Sequence, residues 1–299
     1  MYQEYISWSS HKRDDEDFGI KMKYDISVVM GSKNRKNLIK ATINSIRNNG
    51  FKGNVEIIVV DGGSTDGTCD WLAKQKDVFT IIQPNYSVVN DKGIKVRAHS
   101  WGEFMNIGFK AAHSDYICMV SDDLILAPGC LQQGYDELKH RIEDGEKLGG
   151  GAFFFRDFPR SPDYHVAWSF GKFVNINHGI YYKPALETVG WLDEITYNFY
   201  HGDVDIIMRL NENGLITIPL YGCFALHLSH LPMRKSKIPE WFHADTEALR
   251  LKYGKYTSKG RTESSLPDKP VSPKPFWRYA VKNVLTGYLL RIYDKLRKR

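Results

Sequence analysis

The sequence predicts an α/β fold, a doubly wound and mostly parallel sheet followed by a C-terminal helical tail. Two observations carry this. From Tyr24 onward, short β-branched apolar runs alternate with stretches whose apolar residues recur at helical spacing. Polar or glycine-rich segments also fall three times at the carboxyl ends of those runs, where open α/β sheets bind ligands. Residues 25–30 read as a first strand, and 37–48 as a helix with Leu38, Ile39, Ile43 and Ile46 on one face. Residues 55–60 read as a second strand, 65–74 as a helix and 78–82 as a third strand. The helix over 101–112 has Phe104, Ile107 and Ala111 in phase and leads into a strand at 116–120. Beyond it, 149–155 and 179–183 read as strands and 203–213 as a helix. Residues 216–228 read as extended segments broken by Pro219. Residues 84–100, with Asp91, Lys95, Arg97 and His99, read as a mobile substrate loop.

Composition narrows the classes. In 299 residues, 42% hydrophobic and 13% aromatic content supplies a core and excludes a disordered chain. Cys69, Cys118, Cys130 and Cys223 show no C-x-x-C spacing, which argues for reduced thiols and against a disulfide framework or a zinc site. Residues 1–23 lack the apolar segment of a signal peptide, and no run approaches the ~20 apolar residues of a spanning helix. The expected location is therefore cytoplasmic. Residues 271–299 hold eight Lys or Arg against one acid, so the excess of basic charge belongs to the tail. The remainder is close to neutral, which argues against a nucleic-acid partner.

Residues 115–126 (DYICMVSDDLIL) run an apolar strand into two adjacent carboxylates, Asp122 and Asp123. Paired acids repel unless a cation or proton neutralises them. Hard divalent ions take such oxygen ligands and share them with substrate phosphates, so the pair suggests a metal–phosphate site. The competing reading is a strand ending in a polar turn. Residues 31–35 (GSKNR) follow the first strand, and 61–67 (DGGSTDG) follow the second. The glycines permit close backbone approach, and Asp61 can accept hydrogen bonds from a base or ribose. The same turn is equally competent with nothing bound. No G-x-G-x-x-G follows the first strand and no G-x-x-x-x-G-K-[ST] occurs, so a dinucleotide fold and a P-loop lose support.

Taken together, these segments resemble the family 2 glycosyltransferases, inverting enzymes of the GT-A fold, over roughly residues 24–230. Residues 26–35 (ISVVMGSKNR) are similar to that family's opening strand and loop, and 59–68 (VVDGGSTDGT) to its VDDGSTDGT segment. Residues 102–112 look like the helix before its metal motif. Ser121-Asp122-Asp123 resembles its D-x-D element with Ser in the first place. Residues 189–194 (VGWLDE) resemble G-G-F-D-E, and 201–209 (HGDVDIIMR) resemble E-D-x-D-L-x-x-R with Gly202 where an acid is common. The resemblance implies Asp203 as general base, although an Asp before a helix is also a common N-cap. It implies Asp123 and His227 as ligands of Mn²⁺ or Mg²⁺, with His230 the rival to His227. It also implies Gly31, Ser32, Asp61 and Asp122 as nucleotide contacts. Asp205 and Arg209 are implied near the acceptor or behind the site, or else they form an i, i+4 helix-surface ion pair.

The expected reaction moves a sugar from a nucleotide-sugar donor, a UDP-sugar, to a hydroxyl on a cell-envelope glycan or lipid-linked acceptor. The alternatives are a sugar-phosphate nucleotidylyltransferase, whose G-x-G-T-R loop is absent here, and a non-catalytic binding relative. The chain divides into an N-terminal extension (1–23), a GT-A domain (24–256), a Pro/Ser-rich linker (257–275) and a basic amphipathic helix (276–299). That last helix mixes aromatic and aliphatic residues with Lys and Arg, as a helix on an anionic membrane surface would, so a peripheral place on the cytoplasmic face is expected. The competing reading packs it on the catalytic domain or on a second copy in a homodimer.

Overall fold

A computed structural model describes residues 24–158, 163–228, 240–254 and 260–267. The extension 1–23, His230 and the tail 276–299 lie outside the described residues. The first half of the chain contains β1 (Ile26–Ser32), α1 (Lys36–Arg47), β2 (Val55–Asp61), α2 (Thr68–Leu72), β3 (Val78–Ile82), β4 (Ser87–Val89), β5 (Lys95–Arg97), α3 (Trp101–Ala111), β6 (Tyr116–Met119), β7 (Leu124–Leu126) and α4 (Cys130–Glu143). The second half contains β8 (Leu148–Asp157), β9 (Tyr164–Ser169), β10 (Phe173–Asn175), β11 (Gly179–Tyr182), α5 (Lys183–Thr188), α6 (Gly202–Glu212), β12 (Ile216–His227), α7 (Glu240–Tyr253) and β13 (Arg261–Ser265).

One mixed sheet contains all of the strands except the β4–β5 hairpin, and its main path runs β10-β9-β8-β11-β6-β1-β2-β3. The β3-β2-β1-β6 half is parallel, as the alternating pattern predicts. Its central strands β1 and β2 are buried nearly throughout because helices cover both faces. On one side α1 buries Ile39, Ile43 and Ile46. On the other, α3 lies unusually close: a Cβ at Gly108 would come within 2.5 Å of Val29 Cγ1. The second half is antiparallel at β11, which pairs with both β6 and β8, while β12 runs parallel to β8 and also pairs with β7. The sheet is therefore mixed, and β12 carries its last residue, His227, back to the end of β6.

Several elements differ from the sequence reading, each for a local reason. Helix α2 starts only at Thr68, because the Asp66 side chain takes the Thr68 N–H and hydroxyl while Gly67 adopts φ 84°. Helix α4 was not anticipated. Its apolar stripe is thin, with Leu131 and Leu138 flanking Gly134, which lies against Ile180. Pro219 does not break β12. It pairs with Ala152, and the ladder shifts register just beyond it, between Leu220 and Phe224. Residues 87–97, inside the stretch read as a mobile loop, form the β4–β5 hairpin. Residues 261–265, inside the stretch read as linker, form an edge strand against β9, with Arg261 stacked over the Trp168 ring. Among the described residues, no helix is long and apolar enough to cross a membrane.

Candidate active site

The strand ends of β1 and β6 open into a cavity of about 480 Å³. Gly31 and Ser32 line it from β1, Asp122 and Asp123 from the turn after β6, and His227 from β12. Both carboxylates are almost fully buried, 5% and 0% exposed, so their charges must be met from within the protein. Arg35, from the loop after β1, meets them: its Nη1 lies 3.1 Å from Asp122 Oδ1 and 3.0 Å from Asp123 Oδ2. Ser32 donates to Asp122 Oδ2 at 2.8 Å, and Ser121 donates to Asp123 Oδ1 at 2.7 Å. Ser121, the departure from the family's acid, thus orients Asp123 and adds no further negative charge. Burial pushes the Asp122 carboxyl up to about 6, with Arg35 opposing the shift and Asp123 adding to it.

His227 supplies a second positive charge. Its Nε2 lies 3.2 Å from Asp123 Oδ1, and its Nδ1 lies 2.6 Å from Asp157 Oδ1 at the end of β8. Burial alone would lower the His227 pKa, but the two carboxylates outweigh it and hold it at about 9. The neighbouring His178 ring, 5.3 Å away, shows the opposite balance. Its burial and the charge of His227 push it down to about 3, so it is neutral, and its Nδ1 has no hydrogen-bond partner among the described residues. Among those residues, no three His, Cys, Asp or Glu side chains converge as a ready-made metal cluster.

Asp203 is the second residue of α6 and does not cap it. The N-cap position belongs to His201, whose side chain makes no capping bond. Asn177 donates to Asp203 Oδ2 at 2.8 Å, Asn175 to the same oxygen at 3.3 Å, and the Val204 N–H to Oδ1 at 2.9 Å. Burial raises the Asp203 pKa against these bonds. Asp203 is not among the residues that line the cavity, but its partner Asn177 is, together with His178, whose ring adjoins that of His227.

Other anticipated site residues lie elsewhere. Asp61 is fully buried within its own turn, where Ser64 donates to both carboxylate oxygens at 2.7 Å and Cys69 Sγ lies 3.1 Å from one of them. Gly62 lines the cavity in its place. Asp205 and Arg209 form an ion pair at 2.7 Å, but it is buried and not a helix-surface pair. Asp205 also accepts from Lys252 at 2.6 Å, Tyr253 at 3.0 Å and Tyr197 at 3.3 Å. This cluster joins α6 to α7 and sets the height of the helix that carries Asp203. Sequence reasoning did not single out Arg35, Asp157, Asn177 or His178. The only sequence trace of Arg35 was its place in the polar loop after the first strand.

The chain matches the family model described as Glycosyl transferase family 2 over residues 27–188. That span is more than half of the chain, and this protein belongs to glycosyl transferase family 2. Among solved structures, S. aureus TarS 1–349 is similar with a TM-score of 0.52 at 17% identity, covering 76% of this chain and 64% of that one. The same fragment in complex with UDP-GlcNAc gives a TM-score of 0.52 at 17% identity, covering 76% of this chain and 65% of that one. The chain thus spans a little under two thirds of those fragments, and the shared feature at this identity is the GT-A fold. A protein described as "Uncharacterized protein y4gI" from Sinorhizobium fredii (strain NBRC 101917 / NGR234) is 28% identical over a match of 117 residues that covers 36% of this chain and 11% of that protein.

The α6–α7 cluster makes a checkable statement about Asp205. Replacing it by Ala leaves Arg209 and Lys252 facing each other without their acid, so Asp205→Ala is expected to lower stability by about 3 kcal/mol in urea denaturation. Unchanged stability would mean that the cluster does not hold α6.

Proposed function

We propose that this protein is an inverting glycosyltransferase that moves a sugar from a UDP-sugar to a hydroxyl on a glycan or lipid-linked acceptor. Family membership supports the transferase class, and the TarS complexes with UDP and UDP-GlcNAc support the donor. The observation that carries the reading is a pair of carboxylate groupings at one cavity. Buried acids with their counter-charges line it, and a separate carboxylate of raised pKa, Asp203, is hydrogen-bonded to Asn177, which lines it too.

Beside those acids, the backbone of Gly31 and Ser32 receives the nucleoside diphosphate. Arg97 lines the same cavity, and its guanidinium has no acid partner among the described residues, which leaves it available to phosphate oxygens. A divalent ion, Mn²⁺ or Mg²⁺, fits the donor set here. Asp123 Oδ1 and His227 Nε2, 3.2 Å apart, would hold it, His227 only after giving up its Nε2 proton. Asp157 holds the far nitrogen of His227, as carboxylates do behind metal-bound histidines. Such an ion would neutralise charge building on the diphosphate leaving group.

Asp203 acts as general base. Its carboxylate takes the proton of the acceptor hydroxyl as that oxygen attacks the anomeric carbon in line with the departing diphosphate. The two asparagine amides hold Oδ2 and the Val204 N–H holds Oδ1, so the carboxylate keeps one orientation. The reaction forms no covalent intermediate on the chain.

Three results test the reading. In a thermal-shift panel of UDP, GDP, dTDP and CDP with and without Mn²⁺, UDP with metal should raise Tm, and no shift with any of the four would refute the nucleotide site. Asp203→Asn should reduce transfer by about 10²–10⁴-fold while keeping that shift; near-normal turnover would remove Asp203 as base. Asn177→Ala should move the acid limb of the pH–kcat profile upward. Hydrogen bonds donated to a carboxylate favour its charged form, so losing one raises its pKa further and the base protonates at higher pH. A limb that stays in place or moves downward would break the link between Asn177 and the base.

A further inference from the structure

Trp101 opens α3 and lines the cavity, and its indole packs against Gly202, the first residue of α6. A Cβ at Gly202 would sit 2.8 Å from Trp101 Cε3 and 3.0 Å from Cζ3, so any side chain there would displace the ring. The next residue is Asp203. Phe199 lines the same cavity and is 41% exposed. The two rings share one braced backbone. The Trp101 N–H donates to the Asn198 carbonyl at 2.8 Å. The Asp245 carboxylate, 2% exposed, accepts the N–H groups of Asn198, Phe199 and Tyr200 at 2.8, 2.9 and 2.9 Å. Three charge-assisted bonds on consecutive residues hold Phe199 in place before any ligand arrives. Among the described residues, the indole N–H of Trp101 has no hydrogen-bond partner, which leaves a donor at the cavity wall.

We propose that Trp101 and Phe199 are the platform for a pyranose ring of the acceptor, and that the bare backbone of Gly202 admits the indole beside Asp203. This rests on the glycosyltransferase reading and names the acceptor class, a sugar ring. One face of a pyranose presents C–H groups, whose weak positive charge meets the negative face of an aromatic ring. With that face on the platform, the hydroxyls project from the ring's edge, one toward Asp203 and another within reach of the indole N–H. A serine hydroxyl or an acyclic polyol offers no such flat face.

The test uses saturation-transfer NMR on the UDP- and Mn²⁺-loaded protein, with methyl glycosides of glucose, galactose and N-acetylglucosamine as probes and sorbitol as the acyclic comparison. At least one glycoside should show ring-proton saturation and sorbitol none. Trp101→Ala should abolish the effect and Trp101→Phe should retain it, while the thermal shift with UDP stays unchanged in both variants. In turnover with that glycoside, Trp101→Ala should raise the acceptor KM by about tenfold or more, with a smaller change in kcat. Gly202→Ala should change KM in the same direction by displacing the indole. Equal saturation in wild type and Trp101→Ala, or none in wild type, overturns the platform. Loss of the UDP shift in Trp101→Phe also overturns it and assigns Trp101 to the donor. Glycoside binding that depends on Trp101, with no transfer from any UDP-sugar, would leave the platform standing and sink the glycosyltransferase reading instead.

Discussion

Two adjacent carboxylates buried at the end of β6 are the constraint on which the site depends. Asp122 and Asp123 have almost no contact with solvent, so the chain must bring positive charge to them from elsewhere. Arg35 arrives from the loop after β1 and His227 from the end of β12, while Asp157 at the end of β8 fixes His227 from behind. One local charge problem therefore fastens four separate strand ends to a single point. The same arrangement tunes the groups it uses. Burial leaves Asp122 poised near 6, and flanking acids keep His227 charged at neutral pH in spite of its burial.

The two halves of the sheet divide the remaining work. The parallel half is tightly packed, with α3 pressed onto β1 and β2 at Gly108, and it supplies the strand ends that carry Gly31, Ser32, Asp122 and Asp123 to the cavity. The mixed half supplies the groups that face it. Helix α6 carries Asp203, and the buried Asp205 cluster anchors that helix to α7 through Arg209, Lys252, Tyr197 and Tyr253. Helix α7 also supplies Asp245, which holds the 198–200 backbone. Asp203 and the 198–200 backbone are thus set by the same helix pair, which makes their separation a property of the fold more than of any loop.

What the sequence by itself determined was local in origin. The parallel half follows from alternating apolar periods, and the paired acids, the turn at 61–67 and the helix start at 202–203 each lie within a few residues of a strand or helix end. Residue types and short spacings are sufficient there, since a strand's exit and a helix's first turn are decided by neighbouring residues. Helix α4 and strand β13 escaped because their apolar stripes are thin and their packing comes from partners distant in sequence. Only the tertiary structure decided which polar groups face the cavity. Asp61 turns into its own loop and Asp205 into a cluster between helices, while Arg35, Asn177 and Asp157 enter the site from up to 88 residues away from their partners. The physical reason is burial: a charge withdrawn from water must find its counterpart in space, and the sheet order that brings the counterpart close leaves no mark in a local run of residues.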